Sequence, residues 1–360
     1  MESDYAYGNA RLRAMKSRLL NARAYDALIT ATNLEEVIRL LAQGPYKIEI
    51  ETALVRHSGM RCVSEALRLS VTRTIGKIKT FFRGRPRELV RVLLGRWDVF
   101  NLMTILRGQA RGVPADEILD TLVPAGELAV VDLRELSQQP GIHATAGLMA
   151  AWHLPYAAPL AAAVRTPSNG DLSGIETRLA QSRYREALTE LGDDENDLLV
   201  REILQIEIDA TNLLTLFRLC RAGDLAKQLQ AKYGTTSAAP LLIEGGRLDR
   251  RMLEELSVLG DVGSIVRRLE GTPYEAILST RMDKYRQTGN PAVLQRALEE
   301  FLVRKGVQMF HRDPLTIAIP IGYITAKSNE VVNVRLISQA KMLDLDWEAI
   351  REELIWLTED

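Results

Sequence analysis

The sequence contains one helical pattern three times, and this repetition constrains the fold more than any other feature. The stretches Asp98–Arg107 and Asp209–Arg218 both read D-x-x-N-L-x-T-(I/L)-(L/F)-R. A weaker third copy covers Glu330–Ile337. In each copy an acidic residue stands three positions before an asparagine, and apolar residues follow at helical spacing. A chain with three such segments is predicted to consist of three related units.

Two further markers follow the same period. Proline–tyrosine pairs end at Tyr46, Tyr156 and Tyr274, and the stretch Leu133–Ser137 resembles Leu253–Ser257, with Tyr25–Leu28 weakly in register. The period far exceeds a solenoid repeat of about 20–45 residues, so each unit is predicted to be a small domain of several helices. We predict an all-α chain with repeats at residues 1–113, 114–238 and 239–360. Three such domains could close around a pseudo-threefold axis and leave a central cavity.

Composition supports a helical, non-catalytic protein. The 360 residues carry a net charge of −1 and are rich in Leu, Ala, Arg and Glu, which favour helices. The two cysteines, Cys62 and Cys220, lie far apart and are predicted to be reduced, as in a cytosolic protein. No phosphate-binding or nucleophile motif is present, and the four histidines are scattered, so we predict no nucleotide site, metal or other cofactor.

Three stretches carry a resemblance to a known family: Tyr7–Arg13, Trp97–Arg107 and Gly322–Ile337. In their order and spacing the chain resembles the central-stalk C subunit of archaeal and bacterial A/V-type rotary ATPases, which is called the d subunit in eukaryotes. The third repeat departs from the pattern, because Gln339 stands where Arg107 and Arg218 stand in the others.

The resemblance implies a funnel of three helical domains, seated on the cytoplasmic face of the membrane rotor ring. Its cavity would receive the end of the shaft, which is the D subunit, with the F subunit nearby. Such a protein would transmit torque in a proton- or sodium-translocating complex without spanning the membrane or performing chemistry itself. The alternative is a helical protein-binding scaffold unconnected with a rotor.

The repeated acid–asparagine pairs are the first candidate site. An acid and an asparagine three residues apart share one helix face. Local capping and packing is the favoured interpretation, because such side chains satisfy free backbone donors at helix starts. Alternatively, these polar groups contact the shaft. The candidate residues are Asp98, Asn101, Asp209, Asn212, Glu330, Asn333 and Arg335.

A basic stretch between Arg73 and Arg96 is the second candidate site, since eight cationic residues there accompany one acid, Glu88. It could be a solvated helix face, or it could dock on an acidic shaft or stator surface or on lipid headgroups. Nucleic-acid binding is less favoured, because aromatic residues are sparse there. The candidate docking residues are Arg83, Arg85, Arg87 and Arg91.

Several further segments have patterns that predict their local structure. Residues 137–164 lack any charged side chain and are predicted to form a buried, Ala-rich helix pair rather than a membrane span. Residues 315–325 are predicted to be a buried helix despite their Ile-rich composition. The acidic tail, residues 344–360, is predicted to dock as an amphipathic helix. Loops are predicted at residues 166–170 and 193–197, and the tyrosines of the proline–tyrosine pairs are predicted to pack their rings and hydrogen-bond their hydroxyls.

Overall fold

The chain is helical in a computed structural model that describes residues 5–165, 172–221, 229–230, 234–345 and 347–357. No strand occurs in these ranges, which confirms the predicted all-α class. The predicted loop at residues 166–170 lies outside the described residues. None of the helices in the described ranges is long and apolar enough to cross a membrane.

Eleven helices precede residue 165, and their bounds are α1 Ala6–Lys16, α2 Ala22–Thr30, α3 Leu34–Ala42, α4 Lys47–Leu54, α5 Gly59–Phe81, α6 Gly84–Leu94, α7 Arg96–Ala110, α8 Ala115–Thr121, α9 Val130–Ser137, α10 Ile142–Ala151 and α11 Ala157–Val164. Those described after it are α12 Ser173–Glu190, α13 Glu195–Arg221, α14 Arg250–Leu256, α15 Val262–Arg268, α16 Pro273–Ser279, α17 Met282–Thr288, α18 Ala292–Gln308, α19 Ala318–Met342 and α20 Trp347–Arg351. Short 3₁₀ turns cover Ala239–Leu241 and Met309–His311.

The helices form two compact units, one of residues Met1–Glu176 with Gly306–Asp360 and one of residues Thr177–Lys305. The first unit is centred on α19, which is buried along most of its length and packs against α1, α3 and α5. The second has a core of α13 and α14–α18 that includes Phe217, Tyr274 and Leu294. These units cut across the predicted repeat boundaries, so the three repeats remain a prediction about the sequence.

Side chains cap the starts of several of these helices. Asn33 and Asp261 cap α3 and α15 by accepting hydrogen bonds from the backbone of Glu36 and Ser264. The Ile-rich segment is helical and buried from Ala318 to Ile324, as predicted. Gly95 lies between α6 and α7 and caps both helices.

Other local predictions are wrong in part. The tail forms only the five-residue helix α20, and residues 352–357 contain no further helix, because the backbone of Ile355 is engaged by α19. In the acidic run, Asp194 bonds the backbone N–H of Asp197 and α13 begins at Glu195, so the loop is shorter than predicted. The carboxylate of Asp313 accepts a hydrogen bond from the N–H of Leu315, and α19 begins three residues later, at Ala318.

The uncharged segment forms the predicted pair of packed helices, α10 and α11, but the pair is only half buried. Thr145, Ala146 and Met149 face the core of the unit, whereas Trp152 is 44% exposed. The absence of charge therefore does not reflect complete burial of these helices.

Candidate functional site

Each asparagine of the repeated pattern grips the backbone of one distant residue. The side-chain amide of Asn101 donates to the carbonyl of Val123 at 2.7 Å and accepts from its N–H at 2.8 Å. Asn212 makes the same two bonds with Ile243, both at 2.8 Å. Asn333 makes them with Ile355, at 2.9 and 3.3 Å. These helices, α7, α13 and α19, are called the signature helices below.

The acid of each pattern accepts hydrogen bonds from backbone amides. Asp98 accepts from the N–H groups of Glu127 and Leu128, at 2.8 and 2.9 Å. Asp209 accepts from Arg247 and Leu248, with its shortest contacts at 2.9 and 3.2 Å. Glu330 accepts from the N–H of Leu20, near the start of the chain. Each acid–asparagine pair with the backbone it holds is called a joint: joint 1 (Asp98/Asn101), joint 2 (Asp209/Asn212) and joint 3 (Glu330/Asn333).

The joints overturn the local-capping interpretation. Asp98 is the third residue of α7, whose N-cap is Gly95, and Asp209 and Glu330 lie in the middle of their helices. Mid-helix amides are already bonded within the helix, so these acids serve donors elsewhere in the chain. All six acid and asparagine side chains are at most 3% exposed. They are therefore packed inside the protein, and Arg335 is the exposed member of that candidate set.

Two glycines allow the loop to approach the acids this closely. A Cβ atom added at Gly126 would lie 2.0 Å from a carboxylate oxygen of Asp98. A Cβ added at Gly246 would lie 2.0 Å from a carboxylate oxygen of Asp209. Both distances are far inside van der Waals contact, so any side chain would displace the loop whose amides hold the acid.

The proline–tyrosine corners complete two of the joints. The hydroxyl of Tyr46 donates to Glu330 and that of Tyr274 donates to Asp209, both at 2.7 Å. Both rings are at most 1% exposed, which confirms the predicted structural role for these two tyrosines. Tyr156 differs, because it is half-buried and has a left-handed backbone (φ 66°) directly before α11.

Joint 3 contains an additional cation. The ammonium of Lys327 lies 2.7 Å from Glu330 and donates to the hydroxyl of Tyr46 at 2.9 Å, over whose ring it also sits. Lys327 is 9% exposed and Glu330 is 3% exposed, so the ion pair is shielded from solvent. The pair offsets the desolvation that each charge would suffer alone.

Burial has the largest effect on the pKa of the acids in joints 1 and 2. It raises the pKa of Asp98 and of Asp209, and the hydrogen bonds from the backbone amides and, for Asp209, from Tyr274 oppose this rise. Burial and the neighbouring carboxylate also raise the pKa of the Tyr274 hydroxyl, which therefore remains the proton donor to Asp209.

Joints 1 and 3 lie within the first compact unit, and joint 2 lies within the second. Joint 1 holds the loop before α9, joint 2 the loop before α14 and joint 3 the segment before α2. In each case the acid-bonded leucine directly precedes the helix N-cap, which is Ala129, Asp249 or Asn21. The end of each predicted repeat is thus bonded to the start of the next, and the end of the third is bonded to the start of the first.

Sequence reasoning missed the loop residues that complete these joints. Val123-x-x-Gly126-x-Leu128 and Ile243-x-x-Gly246-x-Leu248 have the same spacing, and they precede the marker stretches at Leu133 and Leu253 by equal distances. Extending that marker towards the N-terminus would have found both glycines. For joint 3 the signal is weaker: Leu20 precedes the weakly matching stretch Tyr25–Leu28 by five residues, as Leu128 and Leu248 precede theirs, but the partner of the asparagine, Ile355, lies near the other end of the chain.

The arginine that ends the pattern bridges the signature helix to a later helix. Arg107 forms an ion pair with Glu176 of α12 at 2.7 Å, and Arg218 bonds Gln295 of α18 at 3.4 Å. Gln339 occupies the same position in the third copy and is exposed.

The second candidate site, the basic stretch, is partly neutralised. Arg73 pairs with Glu49, Arg85 with Glu88 and Arg91 with Glu127, while Lys79 donates to the carbonyl of Gly126. Arg83 and Arg87 are exposed. A cleft of about 300 Å³ separates Arg87 and Arg91 from the Gly126–Glu127 backbone of joint 1. The stretch is therefore a mixed-charge surface beside joint 1, which weakens the nucleic-acid interpretation.

Comparison with known proteins identifies the family of the chain. Residues 8–353 match the family described as the ATP synthase (C/AC39) subunit. The chain belongs to the ATP synthase (C/AC39) subunit family. It is 29% identical to the A-type ATP synthase C subunit of Methanococcoides burtonii, over 98% of this chain and 94% of that protein. It is 28% identical to the A-type C subunit of Methanosarcina mazei, over 98% and 93% of the two chains. It is also 28% identical to the V-type ATP synthase C subunit of Deinococcus radiodurans, over 98% and 92%.

Membership of the C/AC39 family confirms the resemblance and identifies the protein as one component of an A/V-type rotary ATPase, which is a membrane-associated complex. It disfavours the scaffold unconnected with a rotor. Among the described residues of this C/AC39 protein, no group of His, Cys, Asp and Glu side chains could hold a metal ion.

Replacing the joint glycines should be strongly destabilising. Gly126→Ala and Gly246→Ala should each lower the free energy of unfolding by about 2 kcal/mol or more, because the new methyl displaces the loop from its acid. Gly76→Ala is the control: Gly76 lies inside α5 with open space around it, so alanine should be neutral or stabilise by up to about 1 kcal/mol. Urea unfolding measures all three, and equal effects at Gly76 and Gly126 would contradict the close-approach argument.

Removing a joint tyrosine hydroxyl should weaken folding moderately. Tyr274→Phe deletes a hydrogen bond to a buried carboxylate and should lower the unfolding free energy by about 1–3 kcal/mol. Tyr46→Phe should have an effect of the same sign, with Lys327 still paired to Glu330. Tyr7, which is 63% exposed, supplies the control, and Tyr7→Phe should change stability by less than about 0.5 kcal/mol. A neutral Tyr274→Phe would mean that the bond to Asp209 contributes nothing.

The raised pKa of Asp209 predicts a pH dependence with a defined sign. The pKa of Asp209 is higher in the folded protein than in the unfolded chain, where it has its ordinary value of 3.8. The stability that this pKa shift contributes is therefore fully present below pH 3.8, and it is lost as the pH rises through the pKa of the folded state. The stability difference between the wild type and Asp209→Asn should fall over this window and then level off. A difference that grows with pH would show that hydrogen bonding outweighs burial.

Proposed function

We propose that the chain is the non-catalytic central-stalk socket of an A/V-type rotary ATPase. In this proposal it lies at the cytoplasmic face of the membrane and joins the rotor shaft, made of the D and F subunits, to the membrane rotor ring. It couples rotation to ion transport without a cofactor or catalytic residue of its own. Membership of the C/AC39 family carries the proposal, and joint 3 supports it, because Glu330 bonds a segment near the end of the chain to Leu20 near its start.

The chemistry of the joints suits a part that bears torque. Each joint bonds a rigid helix to a loop through buried amide and carboxylate groups, which interact more strongly in a low-dielectric interior than in water. If the loop moved along the helix, those groups would be exposed or left without hydrogen-bond partners. A buried polar group without a partner costs about 1–3 kcal/mol. Force applied to one side of a joint is thus passed to the other side through these hydrogen bonds.

The burial of the acid–asparagine pairs changes where shaft contacts should be sought. Because these side chains are used inside the protein, we propose that they hold the repeats in place while exposed residues bind the shaft. Arg335 on α19 is one candidate for such a contact. Arg83 and Arg87 form a second candidate surface, for an acidic partner.

Shaft capture tests the proposal directly. The purified full-length chain should co-elute with a D–F subcomplex in size-exclusion chromatography at moderate salt. Tyr274→Phe and Gly246→Ala should weaken capture in proportion to their effect on stability, since they act on the frame. Failure of the stable wild-type chain to bind either shaft component would overturn the socket.

Charge reversal tests the basic surface. Arg83→Glu with Arg87→Glu should weaken assembly with the D–F shaft by about ten-fold at low salt, with a smaller effect at high salt because exposed charges are screened. Arg250→Glu is the control, since Arg250 is exposed in the second unit and pairs only with a neighbour on its own helix. Unchanged affinity of the double variant would remove the basic surface from the shaft contact.

A further inference from the structure

The cleft beside joint 1 combines apolar walls with charged side chains. Its volume is about 300 Å³, and it is bounded by α5, α6 and the loop whose amides hold Asp98. Its apolar lining residues are each at most 2% exposed and are Ile78, Phe82, Val90 and Leu94. Its charged lining residues are Lys79, Arg87, Glu88, Arg91 and Glu127. This feature is called the α5–α6 cleft below.

The charges of the α5–α6 cleft do not balance. Glu88 pairs with Arg85 at 3.1 Å, and Glu127 pairs with Arg91 at 3.4 Å. The guanidinium of Arg87 is exposed and makes no ion pair or hydrogen bond with any residue of the described ranges. Three cations and two carboxylates line the cleft, so one positive charge is in excess.

The second cation without a carboxylate partner is Lys79. Its half-buried ammonium donates to the carbonyl of Gly126, and among the described residues no carboxylate lies within ion-pairing distance. Burial lowers the pKa of Lys79, Asp98 and Glu127 oppose this effect, and the like charge of Arg87 adds to it. An anion beside both cations would offset their repulsion and the desolvation of the ammonium.

Size and charge together define the class of ligand. A volume of about 300 Å³ is at the lower end of the range for ligand pockets, so the cleft suits a molecule of roughly ten non-hydrogen atoms. One excess positive charge suits one negative charge, whereas a phosphate dianion would also be repelled by Glu88 and Glu127. The guanidinium of Arg87 can bind the two oxygens of a carboxylate together. The buried apolar walls favour a hydrocarbon body behind that carboxylate.

We propose that the α5–α6 cleft is a binding site for a small monocarboxylate with an apolar body, of the size of a medium-chain fatty acid anion. The carboxylate lies between Arg87 and Lys79, and the hydrocarbon chain packs against Phe82 and Leu94. This site goes beyond the proposed socket function and does not depend on it.

The position of Lys79 connects the site to joint 1. Lys79 donates to the carbonyl of Gly126, and the N–H of the next residue, Glu127, donates to Asp98 at 2.8 Å. A ligand bound to both Lys79 and Arg87 therefore links α6 to the loop of joint 1. Since this arrangement exists only in the folded chain, the ligand should raise the unfolding temperature as its concentration increases.

Isothermal titration of the full-length protein with octanoate tests the inference. Octanoate should bind with one-to-one stoichiometry and sub-millimolar affinity, as expected for a ligand of this size. Acetate lacks the apolar body and 1-octanol lacks the charge, so each should bind at least about ten-fold more weakly. The thermal unfolding midpoint should rise with octanoate and not with acetate at the same concentration.

Three variants separate the site from the surrounding basic surface. Arg87→Gln should weaken octanoate binding by about ten-fold and leave 1-octanol binding unchanged, because only the charged contact is lost. Glu88→Gln should strengthen octanoate binding by about three-fold, because it removes a like charge from the cleft. Arg83→Gln is the matched control: Arg83 is equally exposed but does not line the cleft, so affinity should stay within about two-fold of wild type. Circular dichroism checks that each variant is folded.

Several results would overturn the inference. Equal losses for Arg83→Gln and Arg87→Gln would show attraction to a general basic surface. Equal affinities for octanoate and 1-octanol would show apolar partitioning without a carboxylate site, and displacement of octanoate by an equal concentration of inorganic phosphate would show a site that does not use the apolar walls. Absence of saturable octanoate binding would remove the site altogether. The titration contains no shaft subunit, so such a failure would leave the socket proposal standing.

Discussion

The structure depends on the need to satisfy the buried carboxylates of Asp98 and Asp209, which are held by hydrogen bonds. A charge removed from water is costly unless it is paired or hydrogen-bonded. Asp98 and Asp209 are solvated mainly by backbone amides from loops 29–39 residues further along the chain. This requirement fixes the position of each loop, and the loop then fixes the start of the next helix. A glycine must lie against the carboxylate, because no other residue fits there.

In joint 3 the buried acid, Glu330, is satisfied by a different set of groups. Where a continuous loop serves joints 1 and 2, here the asparagine holds the C-terminal Ile355 and the acid holds the N-terminal Leu20. Two separate segments of chain order less readily than one, and the longer Glu330 is accompanied by Lys327 and Tyr46. Asn9 adds to this closure by donating to the carbonyls of Pro314 and Thr316, both at 2.8 Å. The chain ends are thus held together by side chains rather than by a covalent loop.

The sequence predicted the elements better than their connections. Periodicity and cap residues located most helices, including the buried Ile-rich start of α19, because these signals act within one turn of helix. The acid–asparagine pairs were identified as important, yet their partners were assigned locally, since spacing along one helix says nothing of a loop 22 or 31 residues away. The whole C-terminal tail was predicted to be helical because its apolar residues have helical spacing, yet only Trp347–Arg351 is helical. Its backbone is instead used by Asn333, a tertiary contact that overrides local pattern.

The division of labour within each repeat follows from this architecture. Polar groups shared by all three repeats are buried in the joints, so they define the frame and are unavailable to partners. Features that distinguish one repeat from another are free to differ because the frame does not use them. The uncharged helix pair α10–α11 of the second predicted repeat and the exposed Arg83 and Arg87 of the first are such features. A protein of three predicted similar repeats needs this asymmetry, because identical surfaces could not distinguish one partner from another.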